Sequence, residues 1–179
     1  MGVDKNPEEM SRPRSWQRLI LRLAALRPIS WALSYLLPRL DRWELHRTHG
    51  EHSLTTLITG LPLITLHTTG ARSGLPRSTF LMAIPYDENI VLIASYFGSQ
   101  QHPAWYHNLL AHPEVQVSLK GRTQTFLARQ TSGAERQACW RQAVSLYPGF
   151  EAYRCRAKGR EIPVMVLEPL PPNLPPHQS

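Results

Sequence analysis

Two short stretches of this chain carry residue types suited to ligand chemistry. The first runs Thr68-Thr69-Gly70-Ala71-Arg72-Ser73-Gly74-Leu75-Pro76-Arg77. The second runs His102-Pro103-Ala104-Trp105-Tyr106-His107-Asn108. In the first, two glycines free the backbone for a concave turn. Arg72, Arg77 and the hydroxyls of Thr69 and Ser73 surround that turn with donors, which suits an anion such as a phosphate. A plain hairpin with arginines on its rim is the simpler reading. The stretch is not a Walker loop, because the Gly-Lys-Ser/Thr end is missing, and no helix follows it as in a dinucleotide fingerprint. In the second stretch, Trp105, Tyr106 and Asn108 share a short helix and could stack on and hydrogen-bond a ring. Core packing of Trp105 is the competing reading. Together the two stretches predict a site for a large, flat, phosphorylated cofactor.

Other chemistries find less support. His46, His49 and His52 recur every three residues, but Gly50 interrupts any helix there. No metal site is expected. His102, His107 and His112 lie five apart and do not share a helix face, so no common site is expected of them. No nucleophile elbow, H-E-x-x-H or paired-carboxylate signature is present, and Asp87 and Glu88 read as a solvated turn. Hydrolysis is therefore disfavoured. The two cysteines, Cys139 and Cys155, are too few to staple a secreted scaffold and read as ordinary thiols of a reducing cytoplasm.

The elements that must position these residues follow from periodicity. Leu63–Thr68, Arg77–Pro85 and Ile90–Ser95 read as strands, the last two joined at Asp87-Glu88-Asn89. A helix is predicted from Pro103 to Ala111, with Pro103 in its first turn. Val115–Leu119 and Thr123–Gln130 form a second hairpin across Lys120-Gly121-Arg122. Ser132-Gly133-Ala134-Glu135 has capping-box spacing ahead of a helix from Ala134 to Leu146. Pro163 to Glu168 reads as the last strand. Strands in pairs, without crossover helices, predict an α+β fold: an antiparallel sheet or small barrel with helices packed on it.

The net charge of +7 points to anionic partners. Most of the excess lies in residues 11–50, where eight arginines face Asp41 and Glu44. From Ser15, the residues Trp16, Leu19, Ile20, Leu23 and Leu26 fall on one helical face, while Arg14, Arg18 and Arg22 fall on another. That pattern fits either packing on the domain or lying in an anionic membrane surface. Nucleic acid is a poorer partner, since the arginines are few and Trp16 belongs to the apolar side. Residues 1–13 read as disordered, and the Pro-rich end, Pro169 to Ser179, reads as extended. No signal peptide or spanning segment is read near the N-terminus. A cytoplasmic protein, peripheral on the inner face of the membrane, is expected.

The run Leu63 to Arg77 resembles the signature of the deazaflavin (F420)-dependent nitroreductase family, also called F420H2-dependent quinone reductases. The resemblance continues through His102–Leu109, Ala111-His112-Pro113, Tyr147–Tyr153 and Arg160–Pro169, and covers roughly residues 50 to 169. It implies a split β-barrel of the flavin-reductase, FMN-binding type at residues 51–169. A basic amphipathic helical extension would occupy 1–50 and a Pro-rich tail 170–179. It also implies an oxidoreductase that passes a hydride from F420H2 to a quinone, nitro compound or other lipophilic acceptor. By position, the family's cofactor residues fall on Ala71, Arg72 and Ser73. They continue on Arg77, Ser78, Thr79, Phe80, Leu81 and Met82, then on Ile93, Ala94, Ser95 and Tyr96. Ala104, Trp105, Tyr106, His107, Asn108 and Phe150 complete the set. Tyr147 and Tyr153 match substrate-side tyrosines that could supply a proton. The family often has a basic pair at Ala71-Arg72, a tyrosine at Met82 and a Lys-Gly-Gly-like stretch at Tyr96-Phe97-Gly98. An FMN- or haem-binding split barrel, or a non-enzymatic carrier of F420 or a lipophile, are the alternatives. Homodimers are common for such barrels.

Overall fold

Seven strands form one antiparallel sheet in a computed structural model that describes residues 63–171 of the chain. The strands are β1 (Leu63–Thr69), β2 (Pro76–Met82), β3 (Ile84–Tyr86), β4 (Asn89–Ile93), β5 (Glu114–Leu119), β6 (Arg122–Gln130) and β7 (Val164–Pro169). Helices α1 (Ala104–Ala111), α2 (Gly133–Leu146) and α3 (Gly149–Arg156) are joined by a 3-10 turn at Tyr96–Gly98. The expectations for residues 1–50, and for the tail beyond residue 171, lie outside the described residues.

The strand order is β2-β1-β5-β6-β7-β4-β3. The stretch expected as one strand, Arg77–Pro85, is two. They meet at Ala83 yet pair at opposite edges of the sheet, β2 with β1 and β3 with β4. Since one residue separates them, the two edges must converge there. The sheet therefore curls into a split β-barrel, leaving few unpaired backbone groups at its edges.

Strand alternation then divides the side chains between two faces. The inner face holds Ile64, Leu66, Leu92, Val117, Met165 and Leu167, and α1 caps it with Trp105, Tyr106 and Leu109. Leu66, Met165 and Leu167 have no exposed surface. Each contributes roughly 1.5–3 kcal/mol relative to an exposed position. On the outer face, Ile84, Val91, Ile93, Val164 and Val166 meet Cys139, Trp140 and Ala143 of α2 and Phe150 and Tyr153 of α3. Positions 139, 140 and 143 fall on one side of α2, which explains why that side is buried.

Two expectations change here. Helix α3 was not foreseen. Eight residues carrying two arginines and one cysteine have too short an apolar period to announce a helix. The capping box at Ser132 does not form, because the Ser132 side chain makes no capping hydrogen bond. Glu135 is taken instead by Arg129, whose two terminal nitrogens donate to both carboxylate oxygens at 2.7 and 2.6 Å. A bidentate charged pair outweighs a single capping bond.

Candidate active site

The β1–β2 connection folds as a tight turn. Gly70 N donates to Leu75 O at 2.9 Å, and Gly74 N donates to Gly70 O at 2.8 Å. Gly74 has φ +65°, a conformation that glycine adopts without strain. A Cβ at Gly70 would lie 2.5 Å from Ser73 Oγ and 3.3 Å from Leu75 O, so a larger residue there would displace the Ser73 hydroxyl from the turn. Ser73 Oγ accepts from Leu75 N at 3.3 Å, which ties part of its capacity into the turn.

Arg72 and Arg77 are exposed, and neither has a hydrogen bond or ion pair among the described residues. Arg77 and Ser78 line an open cavity of about 330 Å³ with His67, Thr69, Gln116 and one acid, Glu114. His67 Nδ1 pairs with Ser78 Oγ and its Nε2 with Ser118 Oγ, both at 2.9 Å. Arg77 at the cavity and Arg72 on the turn, two guanidiniums without a partner among the described residues, with the Thr69 hydroxyl and a single carboxylate nearby, form a set that fits a phosphate with an acidic tail.

Asn108 joins this turn to α1. Its Oδ1 accepts from Ala71 N at 2.9 Å, and its Nδ2 donates to Thr68 Oγ1 at 3.0 Å. Asn108 and Thr68 are 7 % and 6 % exposed. The amide expected to read a ring therefore spends both ends on the protein and acts as a tether. Trp105 and Tyr106 also lie in the inner core, and Tyr106 Oη donates to Gln130 Oε1 at 2.8 Å. Of this stretch, Ala104 and His107 are exposed.

Residues 77–82 do not face one surface. Ser78, Phe80 and Met82 register with His67, Thr65 and Leu63 on the outer face, while Thr79 and Leu81 register with Leu66 and Ile64 on the inner. Ile93 belongs to the outer core and Ala94 to the inner. Ser95 is buried, whereas Tyr96 and Phe97 are exposed and hold positive φ of 46° and 55°. The chain there turns sharply under α3. A Cβ on Gly98 would meet Tyr153 O at 2.8 Å and Arg156 Cβ at 2.6 Å.

Behind the turn sits an aromatic group. Tyr147 and Tyr153 share a hydrogen bond at 2.9 Å between their hydroxyls, and Phe150 packs edge-on to both rings. Phe97 meets Tyr153 edge-on with ring centres 5.9 Å apart, and the Arg156 guanidinium lies 5.3 Å from that ring. Burial raises both phenols above their usual range, and for Tyr147 its Tyr153 neighbour adds to the effect. Both hydroxyls thus keep their protons at neutral pH.

Two features escaped the sequence reading. His102 and His107 are neighbours, with rings 6.0 Å apart, because His102 precedes α1 and need not follow its helical spacing. Arg160 reaches back some 60 residues to the segment after β4. Its only local sign was an arginine just ahead of the last strand.

A family model described as F420H(2)-dependent quinone reductase matches residues 37–169. The chain belongs to this family. Within the quinone reductase family, the chain is 40 % identical over 58 residues to an F420H(2)-dependent quinone reductase of Mycobacterium tuberculosis. That match spans 32 % of this chain and 39 % of the relative, well under half of the latter's length. A solved F420-H2 dependent reductase is similar at 35 % identity and a TM-score of 0.55, over 60 % of this chain and 94 % of that one. Another solved structure, described as a domain-swapped dimer, is similar at 31 % identity and a TM-score of 0.57. It covers 79 % of this chain and all of that one.

Proposed function

We propose that the protein is an F420H2-dependent oxidoreductase that reduces quinones or similar lipophilic acceptors, nitro compounds among them. The observation that carries this reading is the pair of guanidiniums without a partner among the described residues, Arg72 and Arg77, on a turn tied through Asn108 to the helix that follows the Ser95 loop. Membership of a family whose relatives are named for this activity supports it.

In this reading Arg72, Ser73 and Arg77 hold the cofactor's phosphate and acidic tail. The backbone of Ile93 to Ser95 borders the ring. Bound F420H2 supplies the hydride, and the protein supplies binding, orientation and exclusion of water. Tyr153 and Tyr147 hold a proton at paired hydroxyls, where a reduced acceptor oxygen could draw on it. Phe97, Phe150 and the tyrosine rings supply the apolar wall that a flat acceptor needs.

The test is fluorescence titration of the full chain with F420, followed by oxidation of F420H2 with menadione. Micromolar binding and menadione-dependent oxidation are expected. No binding refutes the reading. Binding without oxidation across quinones and nitro compounds leaves a carrier in its place. Self-association is part of the reading, supported by the similar domain-swapped dimer, and light scattering on the purified chain measures it. The arginine-bearing amphipathic pattern at residues 14–26 supports binding to an anionic membrane surface. Co-sedimentation with anionic vesicles, with and without residues 1–45, tests that point.

A further inference from the structure

Arg160 is half-buried and has no carboxylate partner among the described residues. Among the described residues, its side-chain hydrogen bonds go to one stretch of chain. Nε donates to Ser99 O at 2.8 Å, and Nη2 donates to Ser95 O at 2.8 Å. Nη1 reaches Ala94 O at 3.4 Å and His102 Nδ1 at 2.8 Å. An arginine can only donate, so His102 Nδ1 accepts and the neutral ring carries its proton on Nε2. One guanidinium therefore fastens the end of β4, the 3-10 turn and the lead into α1.

That stretch needs several ties to hold its shape. It includes two non-glycine residues in left-handed conformation, a costly arrangement that surrounding contacts must impose. Its other ties are short-range backbone bonds (Ser95 N to Ile93 O, Gly98 N to Ser95 O and Ser99 N to Tyr96 O), one longer one from Ala94 N to Pro163 O at 2.9 Å, and the packing of Phe97 and Gly98 against α3. Asn108, at the far end of the same helix, fastens the Arg72–Arg77 turn. Helix α1 thus links two clasps, one at each half of the candidate site.

We propose that Arg160, seated against His102, is a positioning residue that sets the Ala94–Ser99 segment in the geometry required for the cofactor ring and the acceptor. The inference rests on the proposed reductase reading and extends it to two residues outside the ligand contacts. It also predicts sensitivity to acid. The groups facing His102 are Arg160, His107 and the Tyr106 ring. Burial first, then the Arg160 and His107 charges, hold the His102 imidazole below its ordinary value. A proton on Nδ1 would remove the acceptor and set a cation against a cation. The clasp therefore holds above the ordinary histidine range near pH 6.5 and is lost as pH falls below it.

The experiment uses full-length Arg160→Ala, Arg160→Lys and His102→Asn, the last keeping an acceptor oxygen near the Nδ1 position without titrating. Hydrogen exchange of amides 95–101 in the protein without cofactor tests the clasp directly. F420 titration tests its link to the site. In Arg160→Ala, exchange at 95–101 should rise while strands β5 and β6 stay protected. F420 affinity should fall about 10- to 100-fold, the penalty for a misplaced binding segment. Guanidinium ion at millimolar concentration should restore part of that affinity, and Arg160→Lys should fall between the two. Exchange at 95–101 in the wild type should also rise below about pH 6.5, and His102→Asn should lose that step. Unchanged exchange in Arg160→Ala overturns the clasp. Raised exchange with unchanged F420 affinity overturns its role in the site. If the wild type binds no F420, the reductase reading fails, while exchange still decides the clasp. Should Arg160→Ala not fold, Arg160→Lys and His102→Asn carry the same readouts.

Discussion

Replacing Asn108 with alanine is the sharpest single test of how the site is held. The substitution removes two hydrogen bonds, one to Thr68 at the end of β1 and one to the Ala71 amide within the Gly70–Leu75 turn. They are unequal. Ala71 is exposed, so water can replace the lost acceptor for its N–H, at about 0.5 kcal/mol. Thr68 is 6 % exposed, and its hydroxyl would be left without its donor at a cost of about 1–3 kcal/mol. The sum, about 1.5–3.5 kcal/mol, corresponds to a fall in Tm of roughly 3–14 °C for a chain of this size. Thermal unfolding of Asn108→Ala, Thr68→Val and the double variant reads it. Thr68→Val removes the stranded hydroxyl, so the double variant should lose less than the two single losses together. F420 affinity should also fall in Asn108→Ala, because the Ala71 amide no longer anchors the turn. A Tm unchanged within error, or strictly additive losses, refutes the tether. An F420 affinity equal to wild type separates the tether from binding.

Other perturbations address the remaining parts. Arg72→Ala and Arg77→Ala should each weaken F420 binding by roughly 1–3 kcal/mol by fluorescence titration. Their Tm values should stay near wild type, since both side chains are exposed and without a partner among the described residues; a large loss of stability would place them in the fold rather than the site. Tyr147→Phe should cost about 1–3 kcal/mol by denaturant unfolding, because it strands the buried Tyr153 hydroxyl. The raised phenol values mean that the folded chain holds these protons more tightly than the unfolded one. The stability they contribute is complete below about pH 10 and is lost as pH rises further. Absorbance titration should show both tyrosines ionising only as the protein unfolds, and earlier ionisation would contradict their burial. Gly98→Ala should loosen α3 from the 3-10 turn, because its Cβ overlaps Tyr153 O and Arg156 Cβ and its φ of +81° favours glycine. A Tm equal to wild type would show that the turn yields at no cost.

The strands and helices with strong local pattern were legible in the chain. The alternation of Leu63–Thr69 and the turn at Lys120-Gly121 are properties of neighbouring residues, and those elements stand where periodicity puts them. So does the Gly70–Gly74 turn, whose closing bond spans five residues and whose positive φ at Gly74 favours glycine. Even so, the order of strands was not local information. That Arg77–Pro85 divides at Ala83 follows from which distant strands pair with each half, and no property of those nine residues states it.

The site divides in the same way. Residue type and spacing mark Arg72 and Arg77 as a candidate anion-binding pair, since charge and turn geometry are written within ten residues. Which side chains face a ligand depends on what fills the space behind them. Trp105 and Asn108 have the chemistry to meet a ring, yet the barrel interior takes the one and the β1–β2 turn the other. Arg160 shows the converse. Its neighbours in the chain predict a surface cation, and only folding brings the carbonyls of Ser95 and Ser99 and the ring of His102 within its reach. Short-range pattern sets local conformation and charge. The allocation of each side chain to core, clasp or ligand waits on contacts across some 40 to 65 residues of chain, which only the closed barrel creates.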